Sequence, residues 1–237
     1  MIHAVSPYTL FALKGAGITT PKDLKGKKIG SPEGNAVKVV FPAFARANGL
    51  DPADVTWVTM PTAAINPSLL AGQIDVAPIY IFERPTYEAS ARKEGKDVTI
   101  MRYIDWGLDA YSNGLIIEDE LAKSNPDLVR RFVAANMEAW AWSLLHPGEA
   151  LENFYKYAPG MSQDAIREHM LIVLQYLLDE GALRHGIGYI SKKKMDLTID
   201  LMTKFTPLEV RVPTEEIYTN EFLPQAAALA RAGVLKE

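Results

Sequence analysis

The chain has 237 residues, with 25 Lys and Arg against 29 Asp and Glu, a formal net charge of −4. That balance excludes a general nucleic-acid binder, which carries a basic excess on one face. Hydrophobic residues at 48% and charged residues at 23% describe a folded chain rather than a disordered tail, and the absence of cysteine removes disulfides, thiolate metal sites and thiol nucleophiles.

The length suits one large domain or two small ones. The opening stretch MIHAVSPYTLFALKGAG has no basic n-region and no long apolar segment before a small-residue cleavage site, so no signal peptide is expected there. No apolar run approaches the roughly 18 residues of a membrane span.

In chain order, residues 2–13 mix β-branched and aromatic types and predict a strand running into a short helix. Thr20 is an N-cap candidate, with Pro21 at the first helical position and Asp23 in the first turn; Gly26 ends that short helix. Residues 27–30 read as a strand and 31–35 as a loop. A helix is predicted over 36–48 from the stripe Val37, Val40, Phe41, Phe44 and Ala45, closed by Gly49, with a kink or shift at Pro42. Strands follow at 56–60, 74–80 and 98–102, alternating with helices at 67–71 and 83–93, and Gly114–Ile117 adds one more strand. This order predicts a parallel α/β sheet. After Asn125 the pattern turns helical, with helices over 126–145, 147–157, 162–178, 192–205 and 224–232.

Phosphate and metal motifs are missing. There is no GxxxxGK[ST], no GxGxxG after a strand, no HExxH and no GxSxG. The histidines His3, His146, His169 and His185 join no acidic cluster, so no metal, cofactor or catalytic residue is expected. Trp140 and Trp142 read as packing residues, and Lys192–Lys194 as a solvated helix start.

Three strand-to-helix junctions hold the candidate site. The loop Ser31–Asn35 offers Ser31, Glu33 and Asn35 where a parallel strand ends and a helix N-terminus begins, the place where open sheets bind ligands. It reads equally as a capping loop. A Glu33 carboxylate turned inward would repel anions and favour a ligand with N–H donors. At the second junction, Tyr80 and Phe82 could stack on a flat ligand and Glu83 could accept its hydrogen bonds. The alternative is that Phe82 is core and Glu83 a solvated first turn. The third stretch, 106–113, supplies Trp106, Tyr111 and Asn113. Three such stretches on consecutive strand ends favour one shared pocket.

These residues also carry a resemblance. The run Pro21–Gly30 (PKDLKGKKIG), the segment Leu69–Ala77 (LLAGQIDVA), Tyr80–Glu83, Asp109–Gly114 (DAYSNG), Asn125–Phe132 (NPDLVRRF) and Tyr218–Pro224, in that order, resemble the NMT1/THI5-like and SsuA/TauA-like substrate-binding proteins of ABC importers. The resemblance implies a periplasmic-binding-protein-like α/β fold: a parallel-sheet lobe and a mainly helical, incomplete second lobe, joined by crossover strands. Residues 19–113 would form the α/β lobe, and 1–18 with 114–237 the helical one.

The resemblance implies binding rather than catalysis, with a small-molecule ligand and a membrane permease as partners, in the periplasm or on a lipid anchor. Family ligands include taurine, alkanesulfonates, nitrate and aminopyrimidine thiamine precursors. Anion-binding members favour small hydroxyl or His-type residues where Glu33 stands, so a nitrogen heterocycle such as an aminopyrimidine fits better. A sulfonate- or nitrate-type anion binder is the alternative ligand class. Another alternative is a pyrimidine-precursor synthase of the same fold, whose His and cofactor lysine lie in an N-terminal part that has no counterpart here. Members carry that part ahead of the segment that starts this chain. A lobe lacking it would expose sheet edge and apolar area, so a homodimer or lowered stability is expected.

Overall fold

The structure is a computed structural model that describes residues 1–157, 163–205 and 210–224. The chain divides into two compact units. An α/β unit comprises Pro7–Asp109 with Thr198–Arg211, and a helical unit comprises Met1–Ser6, Ala110–Leu197 and the stretch from Val212.

In the α/β unit, β1 (Tyr8–Leu13), β2 (Lys28–Ser31), β3 (Thr56–Thr59), β4 (Val76–Tyr80) and β5 (Val98–Arg102) form one sheet in the order β3-β2-β4-β1-β5. β2 pairs in parallel with β3 and with β4, whereas β1 is antiparallel to both β4 and β5. Four strands therefore run one way, with β1 reversed among them. The sequence reading put residues 1–18 with the helical part. The structure places β1 in the α/β unit, because its ladders to β4 and β5 satisfy backbone groups on both sides.

Helix α1 (Ala36–Ala47) runs through Pro42 as one element. It buries Val37, Val40, Phe41, Phe44 and Ala45, the stripe expected from the 3.6-residue period. Phe44 stacks on Tyr103 with ring centroids 4.0 Å apart and planes at 10°. Helices α2 (Thr62–Leu70) and α3 (Arg84–Lys93) contribute Ile65, Leu69 and Tyr87 to a second core with Phe11, Ile74, Ala77 and Ile79. Residues alternate along β1, so Phe11 joins this core while Tyr8 lies against Tyr103 on the other face.

The helical unit contains α4 (Asp119–Ser124), α5 (Pro126–Leu145), α6 (Pro147–Tyr157), α7 (Gln163–Gln175) and α8 (Glu180–His185). Helix α9 (Lys192–Phe205) begins in it and ends in the α/β unit, and the short α10 (Thr214–Ile217) follows. Met137 and Ala141 of α5 pack with Leu174, Leu177 and Ile187, flanked by Val133, Trp140 and Leu144. Trp142 instead stacks on His146 at the surface, 37% exposed.

The strand expected at Gly114–Ile117 is absent; the segment is irregular, and Ile116 is 94% exposed. Its Leu-Ile-Ile sequence suits a strand, but a strand needs a ladder partner. Here the Asn113 carbonyl accepts from the Ile2 amide (2.8 Å) with no ladder beyond it. The helix expected over 224–232 falls outside the described residues apart from Pro224. Among the described residues, no helix is long and apolar enough to cross a membrane.

Two local devices carry testable consequences. The Asp23 carboxylate accepts from the Thr20 amide (2.7 Å), the Thr19 amide (3.0 Å) and both threonine hydroxyls, holding its pKa down at about 2. Because the folded pKa lies below the ordinary 3.8, this stabilisation is present above pH 4 and lost as pH falls through about 2. Asp23→Asn should therefore lower the melting temperature at pH 7, and the gap to wild type should close below pH 2. At Gly30, an added Cβ would lie 2.6 Å from Ile74 Cδ1 and 3.0 Å from Met60 Sδ. Ile74 is itself buried, so Gly30→Ala should cost about 1–3 kcal/mol of overpacking in urea unfolding.

Candidate functional site

Because β2, β3, β4 and β5 run the same way, their carboxyl ends share one sheet edge. The amino end of reversed β1 lies there too, opposite Tyr80 in the register Tyr8↔Tyr80. In open α/β sheets this edge is where ligands sit.

The β2-to-α1 loop is tied to β4 by Asn35. Its Oδ1 accepts from the Lys38 amide (3.1 Å), which caps α1, and its Nδ2 donates to the Pro78 carbonyl (3.3 Å). The capping reading and the ligand-loop reading thus meet in one residue. Ser31 is buried, and its hydroxyl donates to the Pro32 carbonyl (3.0 Å), so its proton is turned into the loop. Glu33 is exposed, beside Gly34, whose φ of +70° makes the turn.

On the neighbouring strand end, Tyr80 is half-buried. Its ring centroid lies 5.1 Å from that of Phe82 and 5.9 Å from that of Tyr8. Tyr8 continues the row to Tyr103 at 6.2 Å. Tyr103 is fully buried, and its hydroxyl donates to the Val37 carbonyl in the first turn of α1 (3.3 Å). Burial drives the Tyr103 hydroxyl pKa far above its ordinary value. Glu83 is half-buried at the start of α3; with burial as the larger cause, its negative charge helps push the Tyr87 hydroxyl pKa upward. The edge therefore presents aromatic rings, a carboxylate and the amino ends of α1 and α3.

Ser31, Glu33, Asn35, Tyr80 and Glu83 accordingly share the edge formed by the neighbouring strands β2 and β4. Trp106 does not join the Asn35 end of α1. The 3-10 turn Tyr103–Trp106 carries its carbonyl to Asn48 Nδ2 (3.1 Å), at the opposite end of α1, about 18 Å away for a 12-residue helix. Tyr111 and Asn113 belong to the helical unit. Tyr111 is buried, and its hydroxyl accepts from the Ser191 amide (2.9 Å). Asn113 uses its main-chain carbonyl to hold Ile2, and its Oδ1 accepts from Ser112 Oγ (3.1 Å).

Sequence reasoning missed Tyr8 and Tyr103. The signal was an aromatic residue at the first position of a strand and another just past a strand end, but neither shows its neighbours until the direction of β1 is known. A polar cleft of about 340 Å³ lined by Lys14, Glu88, Arg92 and Asp97 opens at the opposite sheet edge, where Leu13 pairs with Val98. Its charges are matched within it, Lys14 with Asp97 (3.8 Å) and Arg92 with Glu88 (3.4 Å), so it offers no net charge to a ligand. Among the described residues no group of three or more His, Cys, Asp or Glu side chains could hold a metal ion.

The NMT1/THI5-like family model matches residues 1–150. The chain belongs to that family. It is 26% identical over 226 residues to the riboflavin-binding protein RibY of Chloroflexus aurantiacus, covering 92% of this chain and 62% of that protein. It is 30% identical over 169 residues to the 4-amino-5-hydroxymethyl-2-methylpyrimidine phosphate synthase THI5 of Saccharomyces cerevisiae, covering 67% of this chain and 49% of the synthase. Among solved structures, the periplasmic aliphatic sulphonate binding protein SsuA of Escherichia coli superposes with a TM-score of 0.57 at 16% identity, covering 88% of this chain and 64% of SsuA. The fold is thus the periplasmic-binding-protein-like one. The chain spans about half to three-fifths of the length of the curated relatives it matches.

The double role of Asn35 can be separated by substitution. Asn35→Ala removes the cap and the tie to Pro78 and should cost about 1–2 kcal/mol of stability in urea unfolding. Asn35→Asp keeps the cap acceptor but loses the Nδ2 donor. It should recover most of that stability while leaving the loop less firmly tied to β4, seen as faster amide exchange over residues 32–35.

Proposed function

We propose that this chain is the ligand-holding part of a solute-binding component of an ABC-type importer, and that its ligand is a planar nitrogen heterocycle. The observation that carries the reading is the carboxyl edge itself. The Tyr8, Tyr80 and Phe82 rings lie in one row, Glu83 starts the adjacent helix, and Asn35 fixes the facing loop. Aromatic faces bind flat rings by stacking, and a carboxylate accepts N–H donors. The exposed Glu33 disfavours a sulfonate or nitrate ion on the same loop. Two of the relatives are named for nitrogen heterocycles, riboflavin for RibY and a pyrimidine phosphate product for the yeast synthase, whereas SsuA is named for sulphonates.

In this reading Tyr80 and Glu83 contact the ligand, Ser31 and Asn35 shape the loop, and Tyr111 and Asn113 stabilise the helical unit. Ligand contacts shift the protein to a closed form, and that form docks on a membrane permease outside the cytoplasm. The reading is binding without catalysis. The 30% identity to the yeast synthase gives a second reading, an enzyme of pyrimidine-precursor synthesis, which an assay for pyrimidine phosphate product tests directly. The reading keeps a second copy of the chain, held through the incomplete lobe, as a partner; a monomer in analytical ultracentrifugation at high micromolar concentration removes that part.

The test is a thermal-shift and calorimetric titration with riboflavin, 4-amino-5-hydroxymethyl-2-methylpyrimidine, thiamine, taurine, an alkanesulfonate and nitrate. A ligand at a hundred times its Kd should add about 2.7 kcal/mol of stability. A heterocycle should bind, and Tyr80→Ala should weaken it about twofold to twelvefold, the worth of a lost aromatic contact of about 0.5–1.5 kcal/mol. Binding of sulfonates alone would overturn the ligand class, and pyrimidine phosphate product would overturn the non-catalytic reading.

A further inference from the structure

The chain crosses between the helical unit and the α/β unit four times, after Ser6, Asp109, Leu197 and Arg211. A single side chain links the segments at the first three of these crossings, within the helical unit. Lys194 lies on α9, three residues before Leu197, and is half-buried, whereas its neighbours Lys192 and Lys193 are exposed. The lysine run expected to be a solvated helix start is therefore solvated only in part.

The Lys194 ammonium donates to the Ala4 carbonyl (2.5 Å) and sits over the Tyr111 ring, 5.0 Å from its centroid. The Tyr111 hydroxyl accepts from the Ser191 amide (2.9 Å), which brings the contact back to the start of α9. Ala4 precedes the first crossing by two residues, and Tyr111 follows the second by one. Backbone bonds reinforce the arrangement: the Ile2 amide donates to the Asn113 carbonyl and the Ala4 amide to the Tyr176 carbonyl, each at 2.8 Å.

We infer that Lys194 is a positioning residue that clasps three of the four crossing segments into one rigid stub, confining backbone rotation between the units to the residues beyond it and to the crossing at Arg211–Val212. The chemistry suits the task. A lysine supplies three donors and a cation on a long stem, so one group can serve a carbonyl and a ring face at once. Domain closure is absorbed by a few residues at element ends, and where it is absorbed depends on which of them are held. Loosening the stubs adds conformational freedom that a closing ligand must then remove, which weakens binding without any contact to the ligand.

The consequence for affinity rests on the solute-binding reading; the clasp itself does not, and the experiment separates them. Amide exchange by mass spectrometry on the full chain compares wild type with Lys194→Met, Lys194→Arg and the exposed control Lys193→Met. Lys194→Met should speed exchange about tenfold at residues 2–5 and at Ser191 together, leaving β1 and β4 unchanged. Lys194→Arg should restore most of the protection, and Lys193→Met should match wild type. Unchanged exchange, or a rise confined to α9 or spread evenly over the helical unit, overturns the clasp. Riboflavin titration of the same variants should show about fivefold weaker binding for Lys194→Met. Equal affinity in the two proteins overturns the coupling to closure, and binding of none of the six compounds named above by wild type overturns the solute-binding reading while the exchange result still decides the clasp.

Discussion

Strand β1 is the element on which the α/β unit depends. It bonds to β4 on one side and β5 on the other, so removing it would leave β5 without a ladder among the described strands. Its reversal has a chemical consequence. A parallel strand would bring its last residue to the carboxyl edge, but an antiparallel one brings its first. Tyr8 therefore stands among the strand ends that form the candidate site, one residue after the chain enters this unit at Pro7. The Ile81 amide, just past the end of β4, donates to the Pro7 carbonyl (3.0 Å). The candidate site and one crossing segment thus share a single backbone bond.

The same edge gathers two helix amino ends, a carboxylate and an aromatic row, and these do not favour the same ligand. Helix amino ends attract anions, whereas Glu33 and Glu83 repel them and the electron-rich ring faces favour cations over anions. A neutral ring system satisfies all of them: its faces stack, its acceptor atoms meet helix amides and its N–H groups meet a carboxylate. Asn35 reduces the anion option further, because its Oδ1 already takes the Lys38 amide at the start of α1.

Much of this was legible in the residues, for physical reasons. The apolar stripe of α1 has only one helical solution, and Asn125 with Pro126 marks the start of α5 because side-chain capping and a missing N–H suit only that end of a helix. What failed was whatever depends on neighbours. The β-branched and aromatic mix of residues 2–13 indicates a strand but not its direction, so the antiparallel pairing and the place of Tyr8 were invisible. Leu115–Ile117 carries strand propensity with nothing to pair against. Trp106 follows a strand end, yet the 3-10 turn closed by Gly107 at φ +84° takes its main chain to the far end of α1. A residue's place in the sequence fixes which strand end it follows, and the turn after that end decides where it goes.

Lys194 shows the same limit and what lies behind it. In the sequence it is one of three equivalent lysines at a helix start. In the fold, successive residues on α9 point about 100° apart, so two of the three face solvent and the third faces Ala4 and Tyr111. Its partners come from positions 4 and 111, far from it in the chain and on no common motif. The segments they sit on lead into two of the four crossings between the two units. A binding protein needs rigid units and a short compliant stretch between them. Cross-links such as this one set where rigidity ends, and on the solute-binding reading they act on ligand affinity through the freedom that closure must remove.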